Sequence, residues 1–448
     1  MDRRKFILNS GFALGVATTL PNIPVSVVQS QKLKEKSEGS YNSWMDVREQ
    51  FLLTDDQIHM ALMLFASHPL PVRKAIEYHR EGFDRNPAIH WEENIMYPFL
   101  NNEMEKQQQV LQADSAAKYL GCDPQEVAFT DSTTMGLAIL YTGLKLSPAE
   151  EILTTTHDHY STEKSLEYSA RLHGASIRKI SLYDEPDKVT IDSICEKLKR
   201  SISSRTRIVA VTWVHSSTGV KLPLGEMSDV IANENKNRPE NKRIYFCVDG
   251  VHGFGIENIT MEDTGCDFFA AGTHKWMFGP RGTGILWGRK DAWDMVEPII
   301  PSFHLRSYGQ WLGAIPQEPL TFNEKCSPGG FHSFEYRWAQ KEAFDFHLKI
   351  GKDKIQERTH QLSSLLKEGL KSISHVTLHT PLDPKLSSGI NCFEVAGYTP
   401  DQVVEKFMEK GIIASTSPYR ESFVRLTPCM INTEDEVKTC LDLVAGLK

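Results

Sequence analysis

The chain has no Cys-x-x-Cys pair, and none of its eight cysteines joins a histidine at zinc-ligand spacing. That excludes a zinc module of the usual kind, and no metal site is expected. It has no long basic run and a net charge of −8, which excludes nucleic acid as the main partner. No stretch supplies the roughly 20 apolar residues of a good membrane-spanning helix, one N-terminal candidate apart. No internal repeat and no low-complexity tract is present. What remains is ordinary globular material: 448 residues, 40% hydrophobic, 24% charged and 9% aromatic. At roughly 150 residues per domain, two or three domains are expected, enough to bury a large core and a cleft. Cys247 and Cys392 lie in strand-like apolar runs and read as buried free thiols.

The N-terminus reads as an export peptide over residues 1–31. Arg3, Arg4 and Lys5 form a basic start, Phe6 to Leu20 is uncharged and moderately apolar, and Pro21 and Pro24 end any helix. Arg-Arg-Lys-Phe-Ile-Leu resembles a twin-arginine signal. No clean Ala-x-Ala cleavage site follows, so the peptide can stay as an anchor. The expected location is outside the cytoplasm, periplasmic or membrane-associated, as in bacteria. Twin-arginine machinery moves folded proteins, which suits a chain that loads a cofactor first.

The body alternates strand and helix. Helices are expected over Pro71–Arg85, Glu103–Leu120, Thr133–Leu144 and Ile191–Ser201. Strands are expected at Glu126–Thr130, Glu151–Thr156, Ser176–Ser181, Arg207–Val214, Ile244–Val248, Asp267–Ala271 and Thr283–Trp287. Several are nearly continuous apolar runs, as in buried parallel strands. After Ser327-Pro-Gly-Gly the pattern changes. One long helical run, Trp338–Ile373, precedes strands at Gly389–Val395, Ile412–Thr416 and Phe423–Leu426. Capping boxes open helices at Thr399 and Thr433. The expected fold class is α/β, with a mostly parallel seven-stranded-type sheet and a smaller α+β C-terminal domain. The expected division is an export peptide at 1–31, a linker and arm at 32–60, a large cofactor-binding domain at 61–330 and a small domain at 331–448.

The chemistry gathers at strand ends. Asp249 closes an apolar strand in Val248-Asp-Gly-Val-His-Gly-Phe-Gly255, where open α/β sheets bind ligands. Lys275 follows another strand in Ala271-Gly-Thr-His-Lys-Trp-Met-Phe-Gly-Pro-Arg-Gly-Thr-Gly284. A lysine there can form a Schiff base if its pKa is lowered. An aspartate facing a pyridine nitrogen is the partner pyridoxal phosphate needs to accept electrons.

This order of motifs resembles the class V aminotransferase-like enzymes of the fold type I pyridoxal-phosphate group, over roughly residues 60–448. That group includes cysteine desulfurases, kynureninase and isopenicillin N epimerase. The resemblance implies pyridoxal 5'-phosphate as cofactor and Lys275 as the lysine that holds it. Asp249 then pairs with the ring nitrogen, His252 lies near the phenolic oxygen and His274 near the phosphate. Ser132, Thr133 and Thr134, in Phe129-Thr-Asp-Ser-Thr-Thr-Met-Gly136, match its phosphate loop at a helix N-terminus. His157, with His159 as a close rival, matches the histidine that stacks on the ring. Ser216 matches a turn residue touching the cofactor oxygen, although an Asn of the family pattern is missing. Arg425, in Phe423-Val-Arg-Leu, matches the anchor of the substrate α-carboxylate; a strand Arg paired with a neighbouring acid is the alternative. Arg281 sits where relatives often place Thr near the partner subunit's phosphate, which implies a homodimer. Glu335 and Arg337 replace a Gly-Thr turn and either shape the substrate pocket or pair with each other.

Catalysis is therefore assigned to Lys275, His157 and Asp249, and substrate binding to Arg425 and Arg337. Ser415-Thr-Ser-Pro-Tyr-Arg420 carries no cysteine where some desulfurases have one, leaving Cys326 as the only substitute in view. The expected function is a pyridoxal-phosphate enzyme acting at the α-carbon of an amino acid, an aminotransferase first. An epimerase comes next, then a desulfurase or lyase, then an exported binding protein without turnover. An epimerase needs a second base, for which His159, Tyr160 and His252 are candidates. The expected partners are a small amino-acid substrate, a second copy of the chain and the twin-arginine export machinery.

Overall fold

The computed structural model describes residues 41–447; the export peptide and residues 32–40 of the linker and arm lie outside the described residues. Thirteen strands occur among them. The central seven are β2 (Val127–Thr130), β3 (Glu151–Thr155), β4 (Ser176–Ile180), β5 (Thr206–Thr212), β6 (Tyr245–Asp249), β7 (Phe268–Gly272) and β8 (Gly284–Gly288), with β1 being Ile58–His59. They form one sheet in the order β2-β8-β7-β6-β5-β3-β4. Only β8 runs against its neighbours. The expected mostly parallel sheet is present.

Both faces of this sheet are covered, which is why its strands lack polar alternation. Val209, Val211, Phe246, Val248, Phe269 and Ile285 point into one core. Ile208, Ala210, Cys247, Phe268, Ala270 and Leu286 point into the other. The second core is closed by helices α3 (Thr133–Gly143) and α4 (Tyr160–His173), through Leu137, Leu140 and Leu166. Earlier in the chain, α1 is Leu70–Arg85 and α2 is Gln108–Leu120. On the first face, α5 (Ile191–Ser201) and α6 (Leu224–Asn235) insert Ile194, Leu198, Met227 and Ile231. Each large side chain buried this way is worth about 1.5–3 kcal/mol.

The long C-terminal run is two helices, not one. α7 (Phe334–Ile350) ends at Gly351, and α8 (Lys352–Ser372) starts at once. Gly351 has φ of +105°, a conformation in which a side chain is strained. A hydrophobic pattern does not register such a one-residue break. α7 packs on α1 and α2.

The remaining strands are β9 (Val376–Leu378), β10 (Asn391–Val395), β11 (Ile412–Ile413), β12 (Ser415–Thr416) and β13 (Val424–Leu426). Four of them make an antiparallel sheet in the order β12-β13-β10-β9. With α8, α9 (Pro400–Met408) and α10 (Glu434–Gly446) they enclose a third core around Leu366, Phe393, Phe407, Val424 and Val437. Both expected capping boxes are formed, Thr399 with Gln402 and Thr433 with Glu436. The N-terminal arm joins this sheet region: β1 pairs with β11, and Thr427 donates from its main chain and its hydroxyl to the Met60 oxygen.

Candidate active site

The site lies where the carboxyl ends of β3, β5, β6 and β7 face β13. Asp249 is the last residue of β6 and is buried. Its Oδ2 accepts from the Thr162 hydroxyl at 3.1 Å and its Oδ1 from the Val251 N–H at 3.2 Å. No cation forms an ion pair with it among the described residues. Burial pushes its carboxyl up to about 6, against the Val251 bond and the charge of Lys275. The residue after it must be Gly for the strand end to pack on Phe269: a Cβ at 250 would lie 1.8 Å from that ring.

Lys275 sits in a tight loop after β7. The Lys275 oxygen accepts from the Phe278 N–H at 2.9 Å, and the Thr273 oxygen from the Gly279 N–H at 2.8 Å. Phe278 has φ of +52°, a costly choice for an aromatic residue that holds the loop in one shape. The Lys275 amine is brought down to about 8 by burial. The negative charge of Asp249 opposes this, and Arg425 reinforces it. Its Nζ is 3.3 Å from His252 Nε2, and His252 Nδ1 accepts from the Trp276 indole N–H at 3.2 Å.

The two candidate stacking histidines, His157 and His159, take different partners. Asp158 is buried and accepts from the hydroxyls of Thr154 and Thr155 and from the Thr212 N–H. Anchored so, the loop lays His157 flat on Tyr183, with ring centroids 3.9 Å apart, and its Nε2 accepts from the Leu182 N–H. His159 instead caps α4, accepting from the Ser161 N–H at 3.2 Å. Burial lowers its imidazole to about 4, helped by the charges of Lys275 and Arg425. Of the two histidines, His159 is the one whose imidazole feels the charges of Lys275 and Arg425, while His157 packs on Tyr183. Tyr160, a candidate second base, is 68% exposed on the outer face of α4.

The phosphate candidates separate likewise. Ser132 caps α3 by accepting from the Met135 N–H at 3.1 Å, the ordinary work of an N-cap. Thr133 keeps a buried hydroxyl with no partner. Thr134 is exposed. His274 Nδ1 is 3.3 Å from the Thr283 oxygen, and a Cβ at Gly272 would lie 2.7 Å from His274 Cε1 and 2.9 Å from Thr133 Oγ1. A helix N-terminus, an orphaned hydroxyl and a histidine therefore share one cradle that a side chain at 272 would fill.

These residues fit pyridoxal phosphate. The cradle suits an anion, the buried and uncompensated Asp249 suits a protonated ring nitrogen, and Lys275 is an amine of lowered basicity. When bound, the cofactor supplies an aldehyde for that amine and a ring that takes up electrons from the substrate's α-carbon.

Arg425 is fully buried in β13. Its Nη1 donates to the Ser216 oxygen at 3.2 Å and its Nε to Ser415 Oγ at 3.3 Å. It makes no ion pair with a carboxylate among the described residues, so the alternative of a strand Arg held by an acid is not what the structure has. Ser216 Oγ lies 2.9 Å from the hydroxyl of Tyr419, whose ring stands edge-on to His159 at 6.1 Å. Sequence reasoning passed over Tyr419, treating its segment only as one without cysteine. Its place shortly before the strand of Arg425 was the one available signal.

Arg337 and Cys326 both take structural partners. Arg337 does not join Arg425. Its Nη2 donates to the Phe129 oxygen at 2.8 Å and faces Asp131 at 3.6 Å, so it braces the end of β2. It pairs with Asp131 rather than with Glu335. Cys326 is buried in the second core, and burial raises its thiol to about 12. Every other cysteine is likewise raised by burial.

The sequence model of the aminotransferase class-V family matches residues 100–439. The chain is 25% identical to an isopenicillin N epimerase of Streptomyces clavuligerus, over 75% of this chain and 83% of that protein. It is 27% identical to a cysteine desulfurase of Haloferax volcanii, over 74% of this chain and 77% of that one. Among solved structures, a mutant of C-DES with glycine covalently linked to its PLP cofactor superposes with a TM-score of 0.76 at 20% identity. That match covers 90% of this chain and 99% of the other. With more than half its length matched, this chain belongs to the aminotransferase class-V family of pyridoxal-phosphate-dependent enzymes.

Proposed function

We propose that the protein holds an amino acid by its α-carboxylate at Arg425 and moves the proton on its α-carbon, with Lys275 as the base. Arg425 carries this reading: a buried guanidinium without a carboxylate, within the electrostatic reach of Lys275. A guanidinium fork binds a carboxylate through two parallel hydrogen bonds, and fixing that end presents the α-carbon to the lysine. An amine lowered to about 8 is a usable proton acceptor near neutral pH. Sulfur abstraction through a cysteine is disfavoured, since a thiol raised to about 12, such as that of Cys326, is a poor nucleophile.

Epimerisation is favoured over the amino-group transfer expected from the sequence alone. The favouring observation is Tyr419, a second proton carrier beside Arg425, whose phenol burial keeps protonated. Inversion needs the proton returned from the face opposite Lys275, and the Tyr419 phenol is the donor proposed for that step. The isopenicillin N epimerase among the relatives agrees with this reading. The test is incubation of candidate amino acids in deuterated water. Deuterium at the α-carbon of racemised substrate, without keto acid, supports epimerisation. Accumulating keto acid supports transfer, and sulfide or alanine from cysteine overturns both. Lys275→Ala should abolish every one of these products.

Export and dimerisation belong to the same proposal. Arg3→Lys combined with Arg4→Lys should leave the folded, cofactor-loaded protein inside the cell, because lysine lacks the guanidinium geometry; unchanged localisation would refute export. Sedimentation should give a dimer, and a monomer that binds cofactor tightly would refute that.

A further inference from the structure

We propose that Trp276 is a positioning residue: its indole N–H fixes His252 in the tautomer that offers Nε2–H to Lys275, and so favours the free-amine form of the lysine. The argument is one of donors and acceptors. An indole nitrogen only donates, and Trp276 Nε1 lies 3.2 Å from His252 Nδ1. Nδ1 must therefore present a lone pair, which makes the imidazole neutral and places its single proton on Nε2. That nitrogen lies 3.3 Å from Lys275 Nζ. An ammonium there would set N–H against N–H, whereas a neutral amine accepts the bond.

Burial supports this arrangement. His252 is 5% exposed and its imidazole is held well below the usual range, first by burial and then by the charge of Lys275. Trp276 is 3% exposed, and a Cβ at Gly389 would lie 2.8 Å from its ring, so the indole is packed in place. The charged or titratable groups facing Lys275 are Asp249, Arg425, His159, His252 and His274. Asp249 pulls the amine toward its charged form, and Arg425 pushes it the other way. The tautomer of His252 adds a directional bond to the second side. The inference rests on Lys275 being the reactive amine.

The test uses the full-length chain freed of cofactor with hydroxylamine. Lys275 is titrated by competitive acetylation with acetic anhydride, read by mass spectrometry from pH 5 to 11. Trp276→Phe keeps a packed ring and removes the donor. Nε2 can then accept, and the Lys275 midpoint should rise by about one unit, cutting labelling at pH 7 about tenfold. His252→Gln carries an amide that donates without help. In that background, adding Trp276→Phe should shift nothing. An unchanged midpoint in Trp276→Phe overturns the proposal, and so does an equal shift in both backgrounds, which a packing effect would give. If Trp276→Phe does not fold, ¹⁵N spectra of the wild-type histidine side chains decide. Protonation of His252 at Nε2 supports the proposal, and protonation at Nδ1 overturns it. Borohydride reduction of the loaded protein and peptide mapping test the Lys275 reading separately. A different labelled lysine would sink that reading and leave the tautomer result standing.

Discussion

Ser216 Oγ and the Tyr419 hydroxyl lie 2.9 Å apart, while the main-chain oxygen of the same serine accepts from Arg425 at 3.2 Å. One residue thus links a buried phenol to the buried guanidinium proposed to hold the substrate. Tyr419→Phe keeps the ring against His159 and removes only the proton carrier. α-Deuterium incorporation with racemisation should fall about 10²–10⁴-fold, with the cofactor absorbance unchanged. A loss under threefold would remove Tyr419 from the chemistry.

Arg425→Gln should raise KM for the amino acid about 100-fold or more, the scale of a lost charge-assisted pair. Stability should fall little, because the variant removes a buried charge that no carboxylate compensates. Steady-state kinetics beside urea unfolding separates the two effects.

Asp249 gives a pH signature in the cofactor-free chain. Its folded pKa, about 6, stands above the ordinary carboxyl value of 3.8. The folded state therefore binds the extra proton between those values. The group's contribution is fully present below about pH 4 and is lost as pH rises through 6. Asp249→Asn should match wild type near pH 4 and exceed it above pH 6, by up to about 3 kcal/mol. Loading the cofactor should shrink the gap. Urea unfolding at both pH values reads it, and a gap that grows toward acid would contradict the assignment.

Gly272→Ala should weaken cofactor affinity at least about tenfold, since the new Cβ would crowd His274 and the orphaned Thr133 hydroxyl. Gly397→Ala is the control. Its φ of +85° strains any side chain, but nothing lies within 4 Å of the added atom. Both variants should lose stability, and only the first should lose cofactor, as measured by equilibrium titration of absorbance.

Much of this was legible in order along the chain. The run from Tyr245 to Asp249 announces a strand buried on both faces, and Thr433 with Glu436 announces a helix start, because burial and capping are set by near neighbours. Lys275 and Asp249 could be singled out because each follows a strand, and parallel strands all end on the same side of the sheet. The break at Gly351 was not legible, since the apolar pattern continues across it and only the backbone angle marks the turn.

The sequence by itself determined the α/β class, the strand-end positions of Lys275 and Asp249, and the helix start at Ser132. These follow from local hydrogen bonding and from the period of apolar residues. Only the tertiary structure laid His157 on Tyr183, sent Arg337 to Asp131, buried Cys326 and brought Tyr419 to Ser216. Each of those outcomes joins segments far apart in the chain. They depend on how side chains from different elements fill one shared space, and no local pattern carries that.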